Sequence, residues 1–142
     1  MSYLDENQLN KLVTDTDKPY VLLNFYNTSC KPCTKEIPEL KELIHHPHAH
    51  LDVHFIALQD ENSSENELAL FWKKLKMTTP IYSVKTESLD TFLQENRLPI
   101  QTNKLPLSLI LSNDGRLVKG ISTFTDAHEV SMIIHRDESF GN

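Results

Sequence analysis

Two cysteines three positions apart, Cys30 and Cys33, are the residues whose types and spacing best support covalent chemistry. They are the only cysteines of the chain, whereas a disulfide framework in a small secreted protein usually needs four or more. The C-x-x-C spacing therefore favours redox or metal chemistry. Cys30 follows a predicted strand, and Cys33 falls in the first turn of a predicted helix.

That position favours ionised sulfur, because a helix N-terminus offers unpaired N–H groups and a partial positive charge. Lys31 adds a cation, and Pro32 suits a first helical turn, where a missing N–H costs nothing. Cys30 is the more exposed candidate, so we predict that it attacks as the thiolate and that Cys33 resolves the mixed disulfide. A pair of incidental buried cysteines is the alternative.

Metal binding is a second interpretation of the same cysteines. Five of the seven histidines fall between His45 and His54, and copper or zinc could be held by Cys30, Cys33 and the His45–His50 loop. Histidine also suits a solvated helix end, where the dipole is negative, so we assign no metal site. The candidate loop ligands are His45, His46, His48 and His50.

The cysteines with His46 and His50 also match the spacing of a C2H2 zinc finger. Pro47 interrupts the segment between these histidines, where a finger needs unbroken helix. A helical pattern follows Cys33 directly and leaves no room for the hairpin of a finger. We therefore set this alternative aside.

The elements around the cysteines are predicted from hydrophobic periodicity. Residues 20–26 form an apolar, β-favouring run that indicates a buried strand. The helix after Cys33 directs Ile37, Leu40 and Ile44 to a core, and Pro38 should kink it.

The remaining chain alternates strands with helices and closes with a hairpin and a helix, which is typical of a mixed α/β sheet covered on both faces. Low-complexity segments and repeats are absent, so we predict a single domain over residues 1–142. The other predicted elements are a helix capped by Asp5, a strand over 51–58, a helix opened by Ser64 and Glu67, a strand over 81–84, a helix over 89–95, strands over 107–111 and 117–121 joined by a turn at 113–115, and a last helix capped by Thr125.

Charge and hydropathy exclude two classes of function. The formal net charge of −6 argues against a nucleic-acid partner, which requires a basic surface. No apolar run is long enough to cross a bilayer, so we expect no stable membrane insertion. Residues 1–6 lack the features of a secretory signal, which predicts a cytoplasmic location for the chain as written. A periplasmic location is the alternative if a signal segment has been removed.

The segment 21–33, with the sequence VLLNFYNTSCKPC, followed by Glu36, Ile37 and Pro38, resembles the active-site segment of TlpA/ResA-like thioredoxins. The resemblance extends more weakly from about Lys18 to the last helix. It implies a thioredoxin fold, with a central mixed β-sheet of about five strands and helices on both faces. It also implies thiol–disulfide oxidoreductase activity on protein disulfides, without an organic cofactor.

Four positions match the pattern of that family. Pro38 matches its helix-kinking proline, and Asn24 the asparagine that replaces a buried aspartate of ordinary thioredoxins. Glu36 matches an acidic residue that would transfer a proton to or from Cys33, although it could be merely a first-turn acid favoured by the helix dipole.

Pro106 matches the family's cis-proline, which lies opposite the cysteines. A cis bond would expose the backbone of Leu105 to a substrate chain, next to Lys31 and Pro32. The alternative is a trans proline that opens a strand.

Ser29 departs from the family, which usually has tryptophan before the first cysteine, and Trp72 is assigned to the core. Lys31 and Pro32 lack the histidine that strongly oxidising relatives carry between their cysteines, so a reductant is favoured. A separate reductase or membrane donor would supply electrons to a protein that we expect to be a monomer. A non-catalytic thioredoxin-like interaction module is a third hypothesis.

Overall fold

A computed structural model describes residues 1–45, 50–59, 64–100 and 104–141 and builds them around a six-stranded sheet. Its elements are β1 (Ser2–Leu4), α1 (Glu6–Thr14), β2 (Tyr20–Tyr26), α2 (Lys31–Leu40), α3 (Glu42–His45), β3 (Leu51–Gln59), α4 (Glu65–Lys74), β4 (Tyr82–Lys85), α5 (Thr86–Glu95), β5 (Leu107–Ser112), β6 (Leu117–Ile121) and α6 (Ala127–Gly141).

The strand order is β1-β4-β3-β2-β5-β6. The first four strands in this order are parallel, whereas β5 pairs antiparallel with β2, and β6 pairs antiparallel with β5. The predicted mixed sheet is therefore confirmed, but with one strand more than the five expected. The additional strand is β1, whose three residues are too few to show an alternating pattern in the sequence.

Strand β2 is buried along all seven of its residues and divides the interior into two apolar clusters. Even-numbered positions such as Leu22 and Tyr26 face the cluster formed with α2, α4 and α6. Odd-numbered positions such as Leu23 and Phe25 face the cluster formed with α1 and α5. This alternation follows from the two-residue period of a strand, and it confirms helices on both faces.

Local signals fix most of the helix boundaries. The carboxylate of Asp5 accepts a hydrogen bond from the backbone N–H of Gln8, whose side chain in turn accepts from the N–H of Asp5. Ser64 caps α4 as predicted. The prediction that Thr125 caps α6 is wrong. The cap is Asp126, whose carboxylate accepts a hydrogen bond from the backbone N–H of Glu129, the third residue of the helix, at 2.9 Å.

Pro38 lies inside α2, and the helical segment that follows Cys30 is divided at Lys41. The helix ends at Leu40, and the four-residue α3 follows after Lys41. Since Pro38 has no N–H, it cannot donate the usual bond to the carbonyl four residues earlier. Ile37 and Leu40 are fully buried on the sheet side, as predicted, while Ile44 is only half-buried.

Candidate active site

Cys30 and Cys33 are joined by a disulfide at the start of α2, with their Cα atoms 5.3 Å apart. Cys30 is the N-cap residue of the helix, and its Sγ accepts a hydrogen bond from the N–H of Cys33 at 3.2 Å. Cys33 is fully buried, whereas Cys30 is half-exposed. Cys30 is therefore the more exposed of the two cysteines, as predicted from the sequence, and we call its sulfur the outer sulfur and that of Cys33 the inner sulfur.

The loop between β2 and the disulfide is held by its own polar groups. The N–H of Cys30 donates to the carbonyl of Asn27 at 3.3 Å, and the hydroxyl of Ser29 donates to the Asn27 side chain at 2.8 Å. The Thr28 hydroxyl reaches the carboxylate of Glu67 on α4 at 3.3 Å. The residue before Cys30 is thus the small polar Ser29, where the resemblance to TlpA/ResA-like thioredoxins implies a tryptophan.

Lys31 and Pro32 are both exposed beside the disulfide. Pro32 occupies the first helical turn, as its missing N–H predicts. Because α2 begins at Lys31, its first-turn N–H groups lie next to the sulfur of Cys30. This placement would stabilise a Cys30 thiolate once the disulfide is reduced.

The peptide bond between Leu105 and Pro106 is cis. Pro106 is buried, and Leu105 is half-buried against both apolar clusters. The next residue, Leu107, pairs with Phe25 near the carboxyl end of β2. The cis bond therefore lies at the end of the sheet where β2 finishes and the chain continues to Cys30.

Glu36 is fully buried behind the disulfide and is held by two donors. The Asn24 amide donates to its Oε1 at 2.6 Å, and the backbone N–H of Thr125 donates to its Oε2 at 2.9 Å. The same amide donates to the hydroxyl of Ser108 at 2.9 Å. Burial raises the pKa of the Glu36 carboxyl, although these hydrogen bonds act in the opposite direction.

Glu36 is the sixth residue of α2, so the alternative of a first-turn acid is wrong. Ser108 and Thr125 were not predicted to belong to this site. Ser108 did carry a signal, because it is a polar residue inside an otherwise apolar strand. Thr125 contributes a backbone N–H, which residue type does not reveal.

An aromatic cluster packs on the same face of the sheet as Cys33. The rings of Tyr26 and Trp72 are stacked 5.6 Å apart, and Phe71 lies 6.1 Å from each of them. Trp72 is buried, as predicted, and its indole N–H donates to the Thr79 carbonyl at 2.9 Å. Burial also raises the pKa of the Tyr26 hydroxyl. The sole tryptophan is thus a core residue.

Of the four histidines in the metal interpretation, His46 and His48 lie outside the described residues, and so does the side chain of His45. His50 is paired with Glu138 on α6. Among the described residues, no group of three or more histidine, cysteine or acidic side chains is arranged to hold a metal. In the same part of the chain, no helix combines the length and apolarity needed to span a bilayer.

Comparison with known proteins places residues 4–119 within the model of the AhpC/TSA family. The thiol-disulfide oxidoreductase ResA of Bacillus cereus is 32% identical over 102 residues, which are 71% of this chain and 53% of the relative. The chain thus spans about half the length of that curated relative.

Solved structures with the same architecture share little sequence with the chain. StoA from Bacillus subtilis is 21% identical with a TM-score of 0.65, covering 84% of both chains. A DsbF homologue from Corynebacterium diphtheriae is 20% identical with a TM-score of 0.71, covering 87% of this chain and 75% of the other. A thioredoxin-related protein from Neisseria meningitidis serogroup B is 18% identical with a TM-score of 0.68, and the match covers 87% of this chain and 88% of the other. These likenesses show a common fold.

Proposed function

The chain belongs to the AhpC/TSA family and has the thioredoxin fold, and from this premise we propose that it is a thiol–disulfide oxidoreductase acting on protein disulfides. The observation that carries the proposal is the Cys30–Cys33 disulfide, in which the half-exposed Cys30 caps a helix N-terminus. We also propose that residues 1–142 act as one domain, since all six described strands join one sheet, and that the protein is a monomer.

In the reductive direction, the Cys30 thiolate attacks a substrate disulfide. A bond forms between Cys30 Sγ and one substrate sulfur, and the other substrate sulfur leaves as a thiolate. The Cys33 thiolate then attacks Cys30 Sγ, which releases the second substrate thiolate and forms the Cys30–Cys33 disulfide. Two electrons have passed from the dithiol to the substrate, and the reverse steps oxidise a substrate dithiol.

Glu36 is the proposed proton acceptor for Cys33 during resolution. Three features support this role: its place one turn after Cys33, its full burial, and a pKa that burial raises from its ordinary value. The carboxyl group can therefore hold the proton that the attacking thiol loses. Its test is the Glu36→Gln variant, which should slow release of the mixed disulfide and alter the pH dependence of that step.

We propose that the substrate chain docks as an extended strand on the backbone of Leu105, beside Pro106. The position of the cis bond at the same sheet edge as the disulfide supports this arrangement. Lys31 and Pro32 would border the bound chain, because both are exposed next to Cys30.

Insulin reduction by dithiothreitol tests the activity. We expect the native protein to accelerate it, Cys30→Ala to abolish the acceleration, and Cys33→Ala to accumulate a mixed disulfide with the substrate. Thr14→Ala, an exposed hydroxyl at the end of α1, is the control and should retain full activity. An active Cys30→Ala variant would refute the proposal. An inactive native protein that retained copper or zinc through gel filtration would favour the metal-carrier alternative.

We further propose that the protein works as a reductant, which the absence of histidine between the cysteines supports. A separate reductase or a membrane donor would then regenerate the dithiol. Equilibration with glutathione measures the reduction potential of the pair. A value near about −270 mV supports a reductant, whereas about −120 mV would identify a strong oxidant.

The cellular compartment determines which donor is available. A soluble reductase would act on a cytoplasmic protein, and a membrane donor on a periplasmic one. Fractionation of cells that express the native gene separates the two locations.

A further inference from the structure

Thr125 joins the buried Glu36 to an exposed carboxylate on the last helix. Its backbone N–H donates to Glu36 Oε2 at 2.9 Å, and its hydroxyl donates to Glu129 Oε1 at 2.8 Å. Thr125 is itself buried, whereas Glu129 is exposed in the first turn of α6. One residue is thus held between two carboxyl groups, of which only Glu36 belongs to the site described above.

The position of Glu129 is fixed at both its backbone and its side chain. Its N–H donates to the carboxylate of the cap residue Asp126 at 2.9 Å, and its own carboxylate accepts from Thr125. An acid in the first turn of a helix is common, because the helix dipole favours it there. The bond to Thr125 goes beyond that general preference, since it holds this carboxylate against the segment that binds Glu36.

Glu129 also acts on Glu36 through its charge. Burial is the main cause of the raised pKa of the Glu36 carboxyl, and the negative charge of Glu129 acts in the same direction. Like charges at close range favour the protonated form of one of them. Glu129 therefore makes the buried carboxylate more ready to take up a proton.

The other titratable groups beside Glu36 in the described part of the chain are neutral or exposed. On β2, the Tyr26 phenol is buried, and burial raises its pKa, so it stays uncharged at neutral pH. On α2, Lys35 precedes Glu36 in sequence and is exposed. The sulfur of Cys33 carries no proton while the disulfide is intact and becomes a thiol on reduction. The element that brings a charge to Glu36 is therefore α6.

We propose that Glu129 is a positioning residue for the resolution step, acting on Glu36 through Thr125 and through its own negative charge; this inference rests on the proposed function. When the Cys33 thiol gives its proton to Glu36, the carboxylate becomes a neutral carboxyl, and repulsion from Glu129 is relieved. The Cys33 thiolate then attacks Cys30 Sγ, and the substrate sulfur leaves as a thiolate.

Stopped-flow reaction of the reduced protein with dithiobis(nitrobenzoate) follows this step, because attack by Cys30 releases one coloured thiolate and resolution by Cys33 releases the second. We expect Glu129→Gln to leave the first release unchanged and to slow the second about two- to fivefold, the range expected for an exposed charge. The acid limb of the pH profile of the second release should move to lower pH. Glu87→Gln removes an exposed first-turn acid from α5, on the other face of the sheet, and is the matched control.

Substitutions of Thr125 separate its hydroxyl from its backbone N–H. Thr125→Val keeps the N–H and the shape of the side chain but frees Glu129 to turn to solvent, so it should change the second release in the same direction. Combining it with Glu129→Gln should add little, because both changes remove one interaction. Thr125→Ser retains the hydroxyl and should behave as the native chain does. A native profile in Thr125→Val would contradict a role for the hydroxyl.

Titration of the Glu36 carboxyl ¹³C signal in the disulfide-bonded protein tests the coupling without any turnover. The midpoint should lie at lower pH in Glu129→Gln than in the native chain, and high salt should reduce the difference, because Glu129 is exposed. An unchanged midpoint would overturn this inference and leave the proposed function intact. A native protein that released no second thiolate would instead refute the proposed function, whatever the titration showed.

Discussion

Replacing Glu36 by glutamine should make the protein more stable than the native chain as the pH rises. Burial raises the pKa of this carboxyl from its ordinary value of 4.5, so the folded state holds the proton more tightly than the unfolded state. The stability gained from that proton is complete below the unfolded pKa and is lost as the pH rises through the folded pKa. Glutamine never ionises and does not suffer this loss.

The structure sets bounds on the size of the effect. One proton changes the free energy of unfolding by no more than about 1.4 kcal/mol per pH unit, so the advantage of Glu36→Gln should grow with at most that slope. Below the unfolded pKa, the two side chains are both neutral and nearly isosteric. There we expect a difference within about 1 kcal/mol, because the unpaired Oδ1 of Asn24 can turn to accept from the glutamine amide.

Urea unfolding of the disulfide-bonded protein between about pH 5 and about pH 8 measures the difference, with the buried Trp72 as fluorescent reporter. Glu39→Gln removes the same charge at an exposed position of α2 and should change stability by less than about 0.5 kcal/mol. If the curves of Glu36→Gln and the native chain stay parallel across this range, burial does not govern the Glu36 proton, and the reasoning fails.

Three further predictions concern elements that hold the sheet and its last helix. Asp126→Ala should lower the free energy of unfolding by about 1 kcal/mol, because its carboxylate caps α6; an unchanged urea midpoint would contradict this. Gly120→Ala would place a Cβ atom 2.6 Å from Ile100 Cδ1. Because this methyl ends a flexible, half-buried side chain that can turn aside, the substitution should lower the free energy of unfolding by less than about 1 kcal/mol; a larger loss in thermal or urea unfolding would contradict this. Burial, followed by the hydrogen bond to the Asp137 carboxylate, raises the pKa of Tyr20 to about 12, so Asp137→Asn should lower this pKa but leave it above 10.0; ultraviolet titration of the phenols measures the shift.

Most of the fold follows from local patterns. The apolar run at Tyr20–Tyr26 predicts the central strand with the bounds that the structure has, because burial on both faces removes the alternation of an exposed strand. Capping by Asp5 and Ser64 marks the starts of α1 and α4. Strand β1 could not be predicted, because its three residues depend on pairing with β4, which is 80 positions away.

The site was only partly predictable for a similar reason. Its sulfur chemistry could be predicted from the spacing of Cys30 and Cys33 and from their position at the start of a predicted helix. The surroundings of Glu36 are assembled from β2, β5 and the segment before α6. Those contacts are non-local, and the contribution of Thr125 is a backbone group common to all residue types except proline.

The buried amide of Asn24 explains why α2 lies where it does on the sheet. Asn24 sits in the middle of a strand that is buried at every position, so its side chain has no water to bond. Ser108 from the adjacent strand and Glu36 from α2 supply its partners, and an unpaired buried amide would cost about 1–3 kcal/mol. A slip of α2 along its axis would break the bond to Glu36 as well as apolar contacts. Because Cys33 lies one turn before Glu36, the same polar contact that secures the helix also fixes the depth of the inner sulfur.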